Sequence, residues 1–414
     1  MIDFEKYSLD NGLKVILHKD TTTPMVAVNV LYDVGARDED PEKTGFAHLF
    51  EHLMFGGSKN IPTYDKHVQN AGGENNAFTN NNFTNYYITL PKVNLETALW
   101  LESDRMLALD FSEKSLETQR NVVIEEFKQR YLNQPYGDVW LLMRPLAYKV
   151  HPYKWATIGK DISHIQNATL DDVKEFFYKF YAPNNAILSI VGNIDFDEVK
   201  LSVQKWFATI PRRNVPIRQI TKEPQQNTAR KLELERNVPF DAIYLAYHMS
   251  HRNHEKYYAS DLISDILSNG KSSRLFQELV KEKKMFSDIS AYITGDIDEG
   301  LFVITGKLIE GFEIEEGEKA IVSELEKLKT ELVSDYELTK VKNKVESSLI
   351  FSEISILNRA MQLAYFELLG DASNINLEVK KYSQVSKNYI SDIAKEIFKE
   401  SNCSKIYYRA NSSN

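Results

Sequence analysis

Three polar residues, His48, Glu51 and His52, interrupt the apolar run GFAHLFEHLMFGGS at positions 45–58. On a helix of about 100° per residue they share one stripe, with His52 about 40° to one side of His48 and Glu51 about 60° to the other. Two imidazoles four residues apart point toward one place and suit a tetrahedral metal ion, most typically zinc. Glu51 would then lie beside the open position of that ion, where it could take a proton from water.

The alternative is that the two histidines are hydrogen-bonded core residues with Glu51 as their partner. That explanation suits a single buried histidine. A metal better explains two histidines that converge with a glutamate on an otherwise apolar helix, because buried polar groups are costly without a partner. The order H-x-x-E-H is also that of the inverted zinc-protease signature, in which the glutamate is the base and not a ligand. We therefore expect His48 and His52 to bind zinc and Glu51 to act as the catalytic base.

A zinc site with two histidines needs a third protein ligand. The helical stretch SLETQRNVVIEEFKQRYL at 115–132 offers two glutamates. Glu126 falls within the apolar arc of this helix, near Val123 and Phe127, whereas Glu125 falls on the polar side. A carboxylate on a buried face needs a cation. We therefore expect Glu126 to be the third ligand and Glu125 to lie in solvent.

The elements that position these residues follow from the pattern of apolar and polar residues. Strands are expected in TTTPMVAVNVLYDVG, NYYITLP and NNAILSIVGNI, and helices at 44–55, 92–109, 115–132 and 168–180. A polar stretch with several prolines predicts a linker at 216–230, between an N-terminal zinc-binding domain at 1–215 and a C-terminal domain of similar fold at 231–414. Strands and helices mixed without strict alternation favour an α+β fold.

Composition excludes several classes of function. The net charge of −9 over 414 residues argues against a nucleic-acid partner. The single cysteine, Cys403, rules out an internal disulfide and a cysteine-based metal cluster. No apolar run is long enough for a transmembrane helix, and the first residues lack a signal-peptide pattern. We expect a cytoplasmic protein, or a periplasmic or exported one if a leader has been removed.

Several segments together resemble the pitrilysin/insulinase family of zinc peptidases, the inverzincins. TGFAHLFEHLMFGGS resembles the zinc helix of that family, and NVVIEEF resembles the segment with its distal glutamate ligand, which falls on Glu126. NAGGENNAFTNNNFTNYY at 70–87 resembles its substrate-holding stretch, and FYAPNNAILSIVGNID the end of its first domain. The resemblance implies one zinc ion per chain and two related two-layer α/β sandwich domains that form half of a clamshell. Two such chains pair to enclose a chamber for peptides or unstructured segments.

The stretch ENNAFTNNNFTNYY carries the expected substrate-binding residues. Ala77, Phe78 and Thr79 could form an edge strand that pairs with an extended peptide, and Asn76 could bind a substrate carbonyl. The alternative is a polar, asparagine-rich turn that binds no ligand.

The sequence departs from the family pattern at two places. Many relatives carry a second glutamate seven residues before the distal ligand, where this chain has the uncharged Gln119. The second domain of the family usually carries an arginine and a tyrosine seven residues apart, where this chain has Val280 and Ser287. Neither residue can donate as the arginine and tyrosine would. A shifted alignment would instead use Arg274 or Tyr292.

The resemblance therefore implies a zinc-dependent endopeptidase. We expect this chain to be the zinc-bearing subunit, with a homologous partner subunit that supplies the arginine and tyrosine; a homodimer is the alternative. Two other functions stay open: a non-catalytic core subunit of a related complex and a peptidase that processes presequences. The run HMSHRNHE, with His248, His251 and His254, is expected to be an exposed turn.

Overall fold

A computed structural model describes residues 1–411 of the chain. Within that range the strands, in chain order, are β1 (Glu5–Ser8), β2 (Lys14–Lys19), β3 (Met25–Tyr32), β4 (Glu74–Thr79), β5 (Thr84–Pro91), β6 (Ala186–Gly192), β7 (Arg230–Arg236), β8 (Ala242–His248), β9 (Phe286–Ile293), β10 (Leu301–Leu308) and β11 (Cys403–Ala410).

The α-helices of the same range, again in chain order, are α1 (Phe46–Leu53), α2 (Tyr64–Asn70), α3 (Leu95–Leu107), α4 (Glu113–Phe127), α5 (Val139–Ala147), α6 (Ile162–Gln166), α7 (Leu170–Phe180), α8 (Phe196–Phe207), α9 (Lys256–Ser268), α10 (Ile314–Thr330), α11 (Asp335–Ser352), α12 (Ile356–Leu368), α13 (Glu378–Ser383) and α14 (Lys387–Ile397). The predicted helices at 44–55, 92–109 and 168–180 contain α1, α3 and α7. The predicted helix at 115–132 overlaps α4, which begins two residues earlier, at Glu113, and ends at Phe127.

The chain forms two compact units that exchange segments. Unit 1 holds residues 1–129, 155–220 and 350–377, and unit 2 holds 130–154, 221–349 and the described residues from Glu378 onward. A division into contiguous halves at 216–230 does not describe this exchange, because α12 belongs to unit 1 although it follows most of unit 2 in sequence. Residues 211–227 have no regular secondary structure.

Unit 1 is built on a six-stranded sheet with the order β1-β2-β6-β3-β5-β4. Strands β2 and β6 are parallel and the other neighbours are antiparallel. Helix α12 packs on this sheet through Ala360 and Leu363, which share a buried core with Ala27, Leu31 and Val191. Strand β4 is left at an edge of the sheet, and its residues alternate between exposed and partly buried.

Unit 2 repeats the arrangement of five of these six strands, with no counterpart of β1 among the described residues. Its sheet has the order β7-β11-β8-β10-β9, with β7 and β11 parallel and the other neighbours antiparallel. The edge strand β9 therefore corresponds to β4, and α9, which follows β8, corresponds to α1, which follows β3. Two sheets of one topology, each covered by helices, confirm the prediction of two related α+β domains.

Helix α3 carries a buried ion pair between Arg105 and Glu102. Arg105 of α3 is only 1% exposed, and its Nε donates to Glu102 Oε2 at 2.9 Å. The guanidinium stacks on the rings of Tyr64 and Tyr86, 4.7 and 4.3 Å from their centroids. The Tyr64 hydroxyl donates to Glu102 at 2.7 Å. The ion pair therefore packs against β5, to which Tyr86 belongs, next to the edge strand β4, where Ala77 stands opposite Tyr86.

Candidate metal centre

The local sequence fixes the rotation of α1. The helix starts after Gly45, whose φ of +88° suits glycine; a Cβ there would lie 2.6 Å from the Ile158 carbonyl oxygen. Its buried residues are Phe46, Ala47, Leu49, Phe50 and Leu53. The Phe50 ring packs on Phe176 and Tyr181, with centroids 4.9 and 5.2 Å away. His48, Glu51 and His52 are left on the less buried stripe.

Three predicted ligands meet at one point. The Nε2 atoms of His48 and His52 lie 3.6 and 3.5 Å from Oε2 of Glu126. The two imidazole centroids are 4.9 Å apart with planes nearly perpendicular. A zinc tetrahedron with bonds of about 2.0 Å has edges of about 3.3 Å. The separations of the donor atoms and their chemistry therefore fit a zinc ion held by two imidazoles and one carboxylate.

Helix α4 presents Glu126 rather than Glu125 to this point. Val123, Ile124 and Phe127 are buried and fix the face of the helix that packs inward. Glu126 is partly buried beside them, whereas Glu125 is exposed and accepts a hydrogen bond from Lys128 Nζ at 2.7 Å.

Gln119 lies two turns before Glu126 on the same helix and is partly exposed. Within residues 1–411, His48, His52 and Glu126 form the group whose ligand atoms converge as a metal requires, within 4.8 Å of one another.

Glu51 lies close both to the candidate ligands His52 and Glu126 and to Thr79 of the edge strand. Burial raises the pKa of its carboxyl group, while hydrogen bonds from the side chain and backbone of Thr79 and the nearby His52 oppose that rise. Thr79 ends β4, so the strand that lies beside Glu51 also forms the sheet edge. The sequence predicts a role in substrate binding for Thr79 but gives no sign of this proximity to Glu51.

Residues 76–79 form strand and not turn. The Asn76 side-chain oxygen accepts a hydrogen bond from the Ala77 backbone N–H at 2.8 Å, so this N–H does not donate to β5. Phe78 is exposed and packs edge-on against Phe83, with ring centroids 5.8 Å apart. An extended peptide at this edge would meet the outward backbone groups of β4.

The corresponding region of unit 2 lacks a free arginine and tyrosine at the aligned positions. Val280 packs against the core, and the Ser287 hydroxyl on β9 donates to the Lys307 carbonyl oxygen at 3.2 Å. Arg274, the alternative arginine, is held by Glu337 through hydrogen bonds of 2.8 and 3.1 Å. Tyr292, the alternative tyrosine, is exposed on β9.

The three histidines of HMSHRNHE do not converge on a metal. His248 ends β8, and its Nε2 lies 3.0 Å from the Ala147 carbonyl oxygen. His251 and His254 follow in the loop before α9, with ring centroids 5.6 Å apart. The three histidines line an open cleft of about 650 Å³ in unit 2.

Sequence reasoning missed Glu39. Its carboxylate is buried and accepts hydrogen bonds from the backbone N–H groups of Gly45 and Ala47 at the start of α1, at 2.9 and 2.8 Å. In the sequence, Glu39 differs from a surface residue only in being an acidic residue a few positions before a helix. Asp38, Asp40 and Glu42 have the same property, so the sequence does not single out Glu39.

Known protein families and proteins match most of this chain. A model of the insulinase family, peptidase family M16, matches residues 14–141, and a model of the peptidase M16 inactive domain matches residues 167–345. The zinc protease PqqE of Helicobacter pylori is 31% identical over 413 residues, which cover 98% of this chain and 92% of that protein. The chain belongs to the pitrilysin/insulinase family of M16 peptidases. The candidate ligands of this M16 chain, His48, His52 and Glu126, all lie in the first matched range.

Solved structures of the M16 family share the fold. The crystal structure of a protease from Helicobacter pylori superposes with a TM-score of 0.94 at 31% identity, over 99% of this chain and 100% of that one. Pitrilysin superposes with a TM-score of 0.81 at 18% identity, over 99% of this chain and 45% of its own. In fold, the M16 chain described here therefore corresponds to a little under half of pitrilysin.

No helix within residues 1–411 is both long and apolar enough to cross a lipid bilayer.

Proposed function

We propose that this M16 chain is the zinc-bearing subunit of a zinc-dependent endopeptidase. The observation that supports this most directly is the convergence of His48, His52 and Glu126 to within 4.8 Å, with Glu51 on the same stripe of α1. The similarity to a protein named a zinc protease supports the same choice of metal.

In the proposed reaction, the residues around the metal have separate roles. A zinc ion, when bound, supplies Lewis acidity that polarises a carbonyl group and makes a nearby water easier to deprotonate. Glu51 takes the proton from the attacking water and passes it to the leaving amine, so that it acts first as base and then as acid. Thr79 lies beside the Glu51 carboxyl group, where its side chain and backbone favour the charged form that accepts the proton.

Strand β4 binds the substrate in this account. An extended peptide adds to the free edge and takes hydrogen bonds from the outward backbone groups, including the Ala77 N–H that Asn76 now occupies. Because these hydrogen bonds join backbone groups only, the edge strand can bind an extended, unfolded segment of any side-chain composition. The substrates proposed are therefore peptides and unstructured stretches of protein.

A partner chain completes the site in our proposal. Val280 and Ser287 cannot donate hydrogen bonds to a developing oxyanion as an arginine and a tyrosine would, and Arg274 is already bound to Glu337. Missing donors of this kind typically cost about 10²–10³ in turnover. A homologous subunit that carries both residues would restore them.

The test is hydrolysis of a fluorescence-quenched, unstructured peptide, with the zinc content measured in the same sample. We expect zinc in the isolated chain and turnover that rises when an M16 chain carrying the arginine and tyrosine is added. Glu51→Gln should abolish the turnover of that pair while zinc stays bound, and Glu125→Gln should change neither.

Three outcomes would separate the alternatives. Full activity of the chain alone would remove the need for a heterologous partner. Undiminished activity of Glu51→Gln would remove Glu51 from the base role. Zinc binding without turnover, with every partner chain tried, would favour the non-catalytic core subunit.

A further inference from the structure

The N-terminus of α1 has no capping side chain of its own. Its first residue is preceded by Gly45, which has no side chain to accept a hydrogen bond from the first backbone N–H groups of the helix. Glu39 supplies the missing acceptors from the preceding loop. One carboxylate oxygen accepts from the Gly45 N–H at 2.9 Å and the other from the Ala47 N–H at 2.8 Å.

The residue before Gly45 is anchored as well. The backbone N–H of Thr44 donates to Nδ1 of His164 at 3.0 Å, and the Thr44 hydroxyl oxygen accepts from the Lys160 N–H at 2.9 Å. Thr44 is fully buried and Glu39 is only 6% exposed, so bulk water cannot readily replace either acceptor. The start of α1 is therefore tied to buried groups through the backbone N–H groups of Thr44, Gly45 and Ala47.

The loop that carries Glu39 is held rigidly. Arg218 donates to Asp38 Oδ1 through Nε at 2.6 Å and to Asp33 Oδ1 through Nη2 at 2.8 Å. The second oxygen of Asp38 accepts from the Gly35 N–H at 3.0 Å. The Trp155 indole donates to the carbonyl oxygen of Ala36 at 2.9 Å. Glu39 follows directly on these contacts, so the backbone that carries it is held in place beside the start of α1.

We propose that Glu39 is a positioning residue that sets the geometry of the metal ligands on α1. The inference rests on the proposed zinc function. Ala47, whose N–H Glu39 holds, is followed directly by His48, and α1 has only eight residues, Phe46–Leu53. The third ligand belongs to a different helix, so any rotation or slide of α1 changes both imidazole–carboxylate separations at once. Glu39 acts on the metal only through this helix.

The experiment compares metal binding by the full chain and two variants, Glu39→Ala and Glu39→Gln. Zinc affinity is measured by competition with a chelator, and ligand geometry by the visible absorption spectrum with cobalt(II) in place of zinc. We expect Glu39→Ala to lose about 10–100-fold in zinc affinity, the range typical of residues that orient metal ligands, and to show an altered cobalt spectrum. Glu39→Gln keeps one acceptor oxygen and should lose less.

Glu223 offers a matched control. It is 5% exposed and its carboxylate accepts the backbone N–H groups of Lys149, Val150 and His151, all in unit 2. Glu223→Ala therefore removes a carboxylate of the same kind without touching α1. We expect it to lower the melting temperature and to leave the zinc affinity and the cobalt spectrum as in the wild type.

The possible results separate the inference from the function on which it rests. A wild-type chain that binds no zinc would overturn both. A wild-type chain that binds zinc, with Glu39→Ala unchanged in affinity and spectrum, would overturn the inference alone, even if that variant melts earlier. If Glu39→Ala does not fold, Glu39→Gln decides: wild-type affinity and spectrum in that variant would likewise overturn the positioning role.

Discussion

The Nε2 atom of His52 lies 3.5 Å from Oε2 of Glu126, although the two residues belong to different helices. Helix α1 contributes two of the proposed ligands through the i, i+4 spacing of His48 and His52, which places both imidazoles on one stripe. Helix α4 contributes the third proposed ligand, because burial of Val123 and Phe127 turns Glu126 inward. The site therefore depends on how two helices pack.

Substitution of the third ligand should abolish zinc binding. We predict that Glu126→Gln reduces the zinc content from about one ion per chain to nearly none after dialysis, because a neutral amide replaces a charged ligand in a three-ligand site. Glu125→Gln is the matched control, since Glu125 is exposed and bound to Lys128. Metal analysis of both dialysed variants measures the effect. Retained zinc in Glu126→Gln, or lost zinc in Glu125→Gln, would contradict the assignment.

Removal of one backbone donor should test the substrate edge. Ala77→Pro deletes an N–H that bonds to Asn76 and not to β5, so the sheet should tolerate the change. We predict a higher KM for an unstructured peptide, of about 5-fold or more, since one neutral hydrogen bond contributes about 1 kcal/mol. Steady-state kinetics on the active pair provide the measurement, with zinc content and melting temperature unchanged as controls. An unaltered KM would show that substrates bind elsewhere.

The buried ion pair of α3 should be costly to break on one side only. We predict that Arg105→Met lowers the free energy of unfolding by about 3–5 kcal/mol, because Glu102 is left charged and buried without its cation. Adding Glu102→Gln should recover part of that loss while the Tyr64 hydroxyl keeps an acceptor. Urea denaturation of the single and double variants checks this. Equal stability of the two would mean that charge burial is not the cause.

The ion pair between Arg274 and Glu337 should make the free energy of unfolding depend on pH. The hydrogen bond from Arg274 lowers the pKa of Glu337 to about 2, against the opposing effect of burial. Because the folded pKa lies below the unfolded value, the carboxylate stabilises the fold above about pH 4.5, and this contribution is lost as the pH falls toward 2. Glu337→Gln should cost about 1.5–3 kcal/mol at pH 7, and the difference from wild type should shrink below pH 4.5.

Urea denaturation between pH 7 and pH 3 provides the measurement for this pair. Glu346→Gln on the same helix is the control, since Glu346 is exposed. A difference between Glu337→Gln and wild type that stays constant over that range would contradict the assigned shift.

The sequence predicts those parts of the structure that have a local period. The spacing of His48, Glu51 and His52 places them on one stripe without any tertiary information, and the apolar arc of α4 distinguishes Glu126 from Glu125. The strands and helices of both units have the same kind of local signal, and the repetition of one sheet topology follows from their similar order.

Contacts between segments that are far apart in the sequence have no such local period. Helix α12 shows an apolar face in its sequence, but that face does not say which sheet it covers, and the structure places it in unit 1. Glu39 lies in a loop rich in acidic residues, so the sequence alone predicts a surface position for it. Only the structure shows its hydrogen bonds with the backbone of Gly45 and Ala47. The contact of Thr79 with Glu51 depends on how β4 packs beside α1, which sequence spacing does not give.

The most direct measurement is anomalous X-ray diffraction at the zinc absorption edge from crystals of the zinc-loaded chain. We predict a strong peak about 2.0–2.2 Å from Nε2 of His48, Nε2 of His52 and a carboxylate oxygen of Glu126. A peak bound by other residues, or none at this point in crystals that contain zinc, would contradict the assignment of the site and with it the proposed peptidase mechanism.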